Sequence, residues 1–305
     1  MTPALQLAGC WTAMISPFSM DGSAVDLVRW QQQIEFQAKA GVRGIVPCGT
    51  TGEAPTLSFE EQRILISSAV EIARLHGLQV MGGAGSNNTH HAVQLHRMVA
   101  ACGANAALHV APYYNKPSQE GIYRHFMTIA ESCDLPIVLY SIPSRCGVAI
   151  LPETVERLAC HPNIVAIKEA TGSVESASEI QRRCDLAMLS GDDSLTIAFA
   201  SVGAIGVVSV VSNVVPDRVQ AMVDACLRND FSAAREQHAS LLPLAKGLLS
   251  LDVNPVAVKT AMKILGRDAG SLRLPLVEPT APVQKQIRDL LHGQRLTMQP
   301  DSIHA

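Results

Sequence analysis

Charge is scarce in this chain of 305 residues. Only 17% of it is Asp, Glu, Lys or Arg, against 48% hydrophobic. That balance favours a large buried core and excludes a chain that stays disordered. Basic residues are scattered rather than clustered, and the formal net charge is −3, so there is no electrostatic footprint for nucleic acid or an anionic membrane surface. Long apolar runs are missing too: none approaches the ~18 residues that span a bilayer. Met1 to Gly9 lacks the positively charged region and apolar core of a secretory signal. The eight cysteines form no C-x-x-C pair. A chain this long needs no covalent staples, so free thiols in a reducing cytoplasm are expected.

Short apolar runs alternating with longer amphipathic segments are what the chain does have. The strand-like runs are Gly9–Ile15, Gly44–Cys48, Gln79–Gly83, Ala106–Ala111, Pro136–Tyr140, Ile164–Lys168, Ala187–Ser190 and Ala204–Val211. Helical patterns follow them: Asp26 to Ala40, from Ser58 with Glu61 completing a capping box, Asn88 to Cys102, from Ser118, from Pro152, and Val215 to Leu227. Eight such units at intervals of roughly 25–35 residues predict parallel βα repeats, and eight is the number at which the sheet closes. The expected fold is α/β, a (β/α)8 TIM barrel over residues 1–230. After Asn229 the strands stop. Helices over Phe231–Leu249, Pro255–Leu265 and Pro282–Leu291 predict a C-terminal helical appendage at 231–295, with a loose tail at 296–305.

Reactive groups of such a barrel sit at the carboxyl ends of its strands. Strand six ends in Lys168, and a lysine closing an apolar strand has two readings. It reaches water at the rim, or it is buried, loses its proton readily and becomes an amine fit for Schiff-base chemistry. Alternation places Ile164, Ala166 and Lys168 on one face, with small Ala166 leaving room for the lysine stem. Gly49-Thr50-Thr51-Gly52 offers backbone N–H groups and two hydroxyls, a seat for a small carboxylate or simply a capped glycine-rich loop. Tyr140 is a proton donor and acceptor or a packing group. Arg145 grips a second carboxylate or joins a surface ion pair. Strand four ends in Pro112-Tyr113-Tyr114-Asn115, strand seven in Gly191-Asp192-Asp193, and strand eight near Val208. Asp192 and Asp193 are expected to be helix N-caps rather than a metal pair. His90, His91 and His96 share one helix with no fitting carboxylate, so no metal is expected there.

Gly49-Thr-Thr-Gly-Glu53, Pro112-Tyr-Tyr-Asn115, Tyr140-Ser-Ile-Pro-Ser-Arg145 and Ile167-Lys-Glu-Ala-Thr-Gly172 resemble the motifs of the N-acetylneuraminate lyase and dihydrodipicolinate synthase superfamily. Leu189-Ser-Gly-Asp-Asp193 and Leu272-Arg-Leu-Pro275 match as well, so the resemblance spans nearly the whole chain. Pro112 to Gly121 and the arginine of Pro143-Ser-Arg145 are most similar to the synthase branch. The resemblance implies an enzyme without cofactor that condenses pyruvate with L-aspartate 4-semialdehyde in lysine and diaminopimelate biosynthesis. Lys168 would form the imine. Thr50, Tyr140 and Tyr114, the last from across a subunit interface, would relay protons. Thr50 and Thr51 would hold the pyruvate carboxylate and Arg145 that of the semialdehyde, while Gly191 and Val208 would line the pocket. A homotetramer built from tight dimers is implied. Two other readings stand beside it: a sister aldolase or dehydratase acting on sugar acids, and a non-catalytic pyruvate or amino-acid binding homologue.

The chain departs from the pattern at Ser141 and Cys146, where Asn and Thr are more usual. It also has Phe59 and Gln62 where lysine-inhibited members carry two histidines, and His91 where a glutamate is usual, although Asn87 and Tyr113 fit. Without that glutamate the ammonium groups of a bound lysine lose their anchor. Feedback by L-lysine is therefore expected to be weak or absent. Strong inhibition of initial rates at sub-millimolar lysine would overturn this.

Overall fold

A computed structural model describes residues 4–267 and 269–297. The strands are β1 (Gly9–Ala13), β2 (Gly44–Val46), β3 (Gln79–Gly83), β4 (Ala106–Val110), β5 (Ile137–Ser141), β6 (Ile164–Glu169), β7 (Ala187–Ser190) and β8 (Gly206–Ser209). They form a closed barrel in chain order, and β1 and β8 complete the parallel circle. Around it run α1 (Leu27–Lys39), α2 (Phe59–His76), α3 (Thr89–Ala101), α4 (Gln119–Ala130) and α5 (Pro143–Cys146). Next come α6 (Pro152–Leu158), α7 (Val174–Arg183), α8 (Thr196–Ala200) and α9 (Pro216–Leu227). The appendage is α10 (Phe231–Ser250), α11 (Val256–Ile264) and α12 (Ala281–Gly293). Of the tail expected at 296–305, all but residues 296 and 297 lie outside the described residues.

All eight expected strands are present with shifts of a residue or two at several ends, and for β2 and β8 the backbone gives the reason. β2 stops at Val46 because Pro47 has no N–H for the ladder and Cys48 is left-handed at φ 56°. β8 is shorter than the apolar run because the amides of Val210 and Val211 bond to the Asp193 carboxylate instead of continuing the sheet. The capping box of α2 forms as expected. The Glu61 amide donates to Ser58 Oγ at 3.2 Å and the Ser58 amide to Glu61 Oε2 at 2.8 Å.

Strand β6 corrects one expectation. Ile137 pairs with Ile164 but Val138 pairs with Ala166, so Val165 is an extra residue in the strand. Ile164 consequently packs with Ile137, Ile167 and Phe199 in the layer between barrel and helices. Ala166 faces inward with Val138, Tyr140 and Val208. Lys168, two residues further, shares the face of Ala166 but not that of Ile164.

The appendage is stapled to the turn after β2. Lys259 of α11 bonds Glu53 Oε1 at 2.7 Å and the carbonyls of Ser16 and Ser271 at 3.0 and 2.8 Å. Arg273 pairs with Glu61 at 2.5 Å and donates to the carbonyls of Gly22 and Thr56. Breaking either pair would leave a buried or half-buried charge alone, which costs several kcal/mol.

A second buried polar cluster lies outside the barrel. His109 of β4 meets His96 of α3 at 3.1 Å, and His125 of α4 meets Thr89 Oγ1 at 2.9 Å. Burial holds His96 and His125 at about 4 and His109 well below its ordinary value of 6.5. The unfolded chain therefore binds protons that the folded chain refuses, and stability must fall as pH drops from the ordinary imidazole value toward the folded ones. Each histidine adds a slope of up to ~1.4 kcal/mol per pH unit in that window. Urea titrations between about pH 7 and pH 5 should show this decline; a flat profile would contradict the burial of these rings.

Candidate active site

A cavity of about 620 Å³ opens at the carboxyl ends of the strands. Thr50, Thr51, Tyr140, Arg145, Lys168, Gly191 and Val208 all line it. Tyr114 does not. It is 88% exposed and left-handed at φ 73° on the loop after β4, and its neighbour Tyr113 faces the cavity instead.

Lys168 is not a rim lysine. It is 6% exposed, and its Nζ stands 4.0 Å from the centroid of the Tyr140 ring, its register partner on β5. Burial brings the amine down from 10.5 to about 7, with Asp193 opposing and Arg145 assisting. At neutral pH much of it is a free nucleophile. The Tyr140 phenol lies within hydrogen-bonding reach of Thr50; burial raises its pKa, so it stays protonated and able to donate.

Residues 49–52 form a turn closed by the Gly52 amide on the Gly49 carbonyl at 3.1 Å. The amides of its two central residues, Thr50 and Thr51, have no acceptor among the described residues, as an anion seat requires. Ser16 Oγ holds the Gly52 carbonyl at 2.6 Å. Arg145 sits on the short helix α5, exposed at the rim of the cavity. Gly191 is needed for space: a Cβ there would stand 2.6 Å from Ala170 Cβ and 3.1 Å from Lys168 Cε.

Asp192 caps the turn 193–195 as expected, accepting from the Ser194 amide at 2.8 Å. Asp193 is a correction. Its carboxylate is 7% exposed and accepts from Ser209 Oγ and the Val210 and Val211 amides, so it ties β7 to β8 rather than capping a helix. His90 is exposed beside Gln94, His91 lines the cavity near Ser86 Oγ at 3.4 Å, and His96 is buried against His109. No group of three or more metal-ligating side chains comes together among the described residues.

Several lining residues escape a reading confined to strand ends: Gln62 of α2, His91 and Leu95 of α3, and two from beyond the barrel. Leu249 and Asn254 come from the appendage, and Asn254 Nδ2 donates to Thr51 Oγ1 at 3.0 Å across 203 positions. Only the composition of the 250–255 segment, with its Asn-Pro step, carried any local signal. Of the residues tied to lysine feedback, Gln62 and Tyr113 line the cavity while Phe59 is exposed. The Asn87 carbonyl holds the Asn115 side chain at 3.0 Å.

Residues 6–294 match the model of the dihydrodipicolinate synthetase family. A relative from Methanothrix thermoacetophila, a 4-hydroxy-tetrahydrodipicolinate synthase, is 45% identical over 93% of this chain and 95% of its own. The enzyme of that name from Pelobacter propionicus is 46% identical over 88% of this chain and 92% of its own. The crystal structure of dihydrodipicolinate synthase from Aquifex aeolicus superposes with a TM-score of 0.93 at 42% identity, covering 96% of this chain and 100% of that one.

The space around Gly191 yields a direct test. Gly191→Ala should fold, as judged by circular dichroism, yet lose activity by ~10-fold or more, because a displacement of under 1 Å at a reacting group is costly. Wild-type turnover would show that the lysine stem tolerates the added carbon.

Proposed function

Because the chain belongs to the dihydrodipicolinate synthetase family, we propose that it condenses pyruvate with L-aspartate 4-semialdehyde to 4-hydroxy-tetrahydrodipicolinate, a lyase step of lysine and diaminopimelate biosynthesis. The observation that carries the proposal is a buried, readily deprotonated Lys168 under the Tyr140 ring, in a cavity with free backbone donors.

Lys168 Nζ attacks the ketone carbon of pyruvate, and loss of water leaves the protonated imine. That cation is an electron sink, so the adjacent methyl group gives up a proton without metal or organic cofactor. Thr50 and Tyr140 move protons during these steps. The resulting enamine carbon bonds to the aldehyde carbon of the semialdehyde. Its amino group then displaces Lys168 from the imine carbon and closes the ring. Thr50 and Thr51 seat the pyruvate carboxylate, Arg145 receives the second carboxylate, and Gly191 and Val208 shape the wall.

Tyr114 enters the relay only from another copy of the chain, since in its own protomer it lies outside the cavity and is exposed. The proposal therefore includes self-association, at least as a dimer and by family likeness as a homotetramer, a dimer of dimers. Cytoplasmic location fits the unpaired cysteines. No described helix is long and apolar enough to cross a membrane. The barrel at 1–230 would be the catalytic unit, and the helical region at 231–295 its brace.

Borohydride reduction with pyruvate, read by mass spectrometry, should add one reduced pyruvate to Lys168 and none to Lys168→Ala. No adduct on Lys168 would remove the imine mechanism. Turnover of the semialdehyde should fall ~100-fold in Arg145→Ala, the loss of a bidentate carboxylate partner, while sugar acids should not be substrates. Turnover of sugar acids with indifference to Arg145 would favour the sister aldolase or dehydratase.

A further inference from the structure

Two side chains of the appendage, five residues apart, reach the turn after β2. Lys259 bonds Glu53 Oε1 at 2.7 Å, and Asn254 Nδ2 donates to Thr51 Oγ1 at 3.0 Å. Their spacing is fixed where α11 begins, because the Lys259 amide donates to the Pro255 carbonyl at 2.9 Å. The turn is held from the barrel side as well. Ser16 Oγ donates to the Gly52 carbonyl at 2.6 Å. A Cβ on Gly52 would stand 3.1 Å from both the Cys48 nitrogen and the Met14 carbonyl oxygen. Thr51 is 3% exposed, and both Thr51 and Asn254 line the cavity. Among the described residues, the bond from Asn254 is the one hydrogen bond that Thr51 Oγ1 makes.

The direction of that bond decides what the hydroxyl can still do. A threonine hydroxyl has one proton to give and two lone pairs to receive with. Asn254 Nδ2 takes a lone pair, so the proton is left over, and it has no acceptor among the described residues. The reverse orientation of the amide would let the Asn254 carbonyl consume that proton. It would also put an NH2 group where Oδ1 now lies buried without a partner, and orphaned N–H groups are rarer in proteins than orphaned carbonyl oxygens. The amides of Thr50 and Thr51 are likewise without an acceptor among the described residues. Two consecutive residues thus hold three unspent donors, a set that suits a carboxylate.

We infer that Asn254 is a positioning residue for the pyruvate carboxylate: its amide occupies a lone pair of Thr51 Oγ1 and so directs the hydroxyl proton to the bound carboxylate. The inference rests on the reading of the turn at 49–52 as the carboxylate seat. A donor already aimed at its acceptor spares the substrate the cost of reorienting it. The hydroxyl's direction matters because a hydrogen bond to a charged group is roughly twice as strong as one to a neutral group. Asn254 acts through Thr51, and the appendage thereby takes part in substrate binding.

The test measures the pyruvate concentration that half-saturates borohydride trapping on Lys168, together with kcat and KM, in wild type, Asn254→Ala, Asn254→Asp and Thr51→Val. Asn254→Ala should raise the half-saturating concentration ~10-fold, with a smaller change in kcat. Asn254→Asp keeps the size of the side chain but accepts the hydroxyl proton and adds an anion beside the seat, so its loss should exceed that of Asn254→Ala. A side chain that only braced the appendage would give the opposite order. Trapping of methyl pyruvate, which carries no carboxylate charge, should respond much less than trapping of pyruvate. Thr51→Val already lacks the hydroxyl, so adding Asn254→Ala to it should change little. Unchanged half-saturation in Asn254→Ala, a milder loss in Asn254→Asp, or additive losses in the double variant would overturn the inference. If Asn254→Ala does not fold, as judged by circular dichroism, the size-matched Asn254→Asp decides, and wild-type half-saturation there overturns it. Unchanged saturation in Thr51→Val would reject the carboxylate seat, and failure of wild type to trap pyruvate would reject the imine reading, each taking the inference with it.

Discussion

Everything in the cavity is arranged around the cost of burying one ammonium group. Among the described residues two lysines are buried, Lys168 and Lys259, and they meet opposite fates. Lys259 is surrounded by Glu53, two carbonyl oxygens and the Phe18 ring, a coordination that keeps a cation content out of water. Lys168 has an aromatic face but, among the described residues, no hydrogen-bond acceptor on Nζ. Desolvation outweighs the distant attraction of Asp193, and the proton becomes easy to lose. One residue type gives a strut in one place and an amine that loses its proton readily in the other, and the difference lies in what touches the nitrogen.

Much of this was legible locally. The short apolar runs placed all eight strands, and β3 and β7 match to the residue, because inward and outward faces both need apolar groups in a closed parallel sheet. Strand ends named Thr50, Thr51, Tyr140, Arg145 and Lys168 of the cavity lining, because a closed parallel sheet presents the carboxyl ends of its strands to one mouth. What local pattern misses is set by contacts between distant parts of the chain. The bulge at Val165 depends on how β5 and β6 register. Asp193 has the sequence signature of a cap, yet donors from β8, beginning 16 positions away, claim its carboxylate. Asn254 reaches Thr51 only because the segment between α10 and α11 returns to the turn after β2.

The staple between the appendage and the turn after β2 has a consequence for synthesis of the chain. Glu53 cannot meet Lys259, nor Glu61 meet Arg273, nor Thr51 meet Asn254, until residues from the last sixth or so of the sequence have emerged. Before then, the charge of Glu53 lacks Lys259, and the turn at 49–52, proposed as a carboxylate seat, lacks its outer support. A ribosome-bound barrel with all eight strands in place would still lack the Asn254 bond to Thr51. The full set of contacts to that turn arrives only with the final helices, so a chain cut short late in translation carries Lys168 beside a turn still without its outer supports.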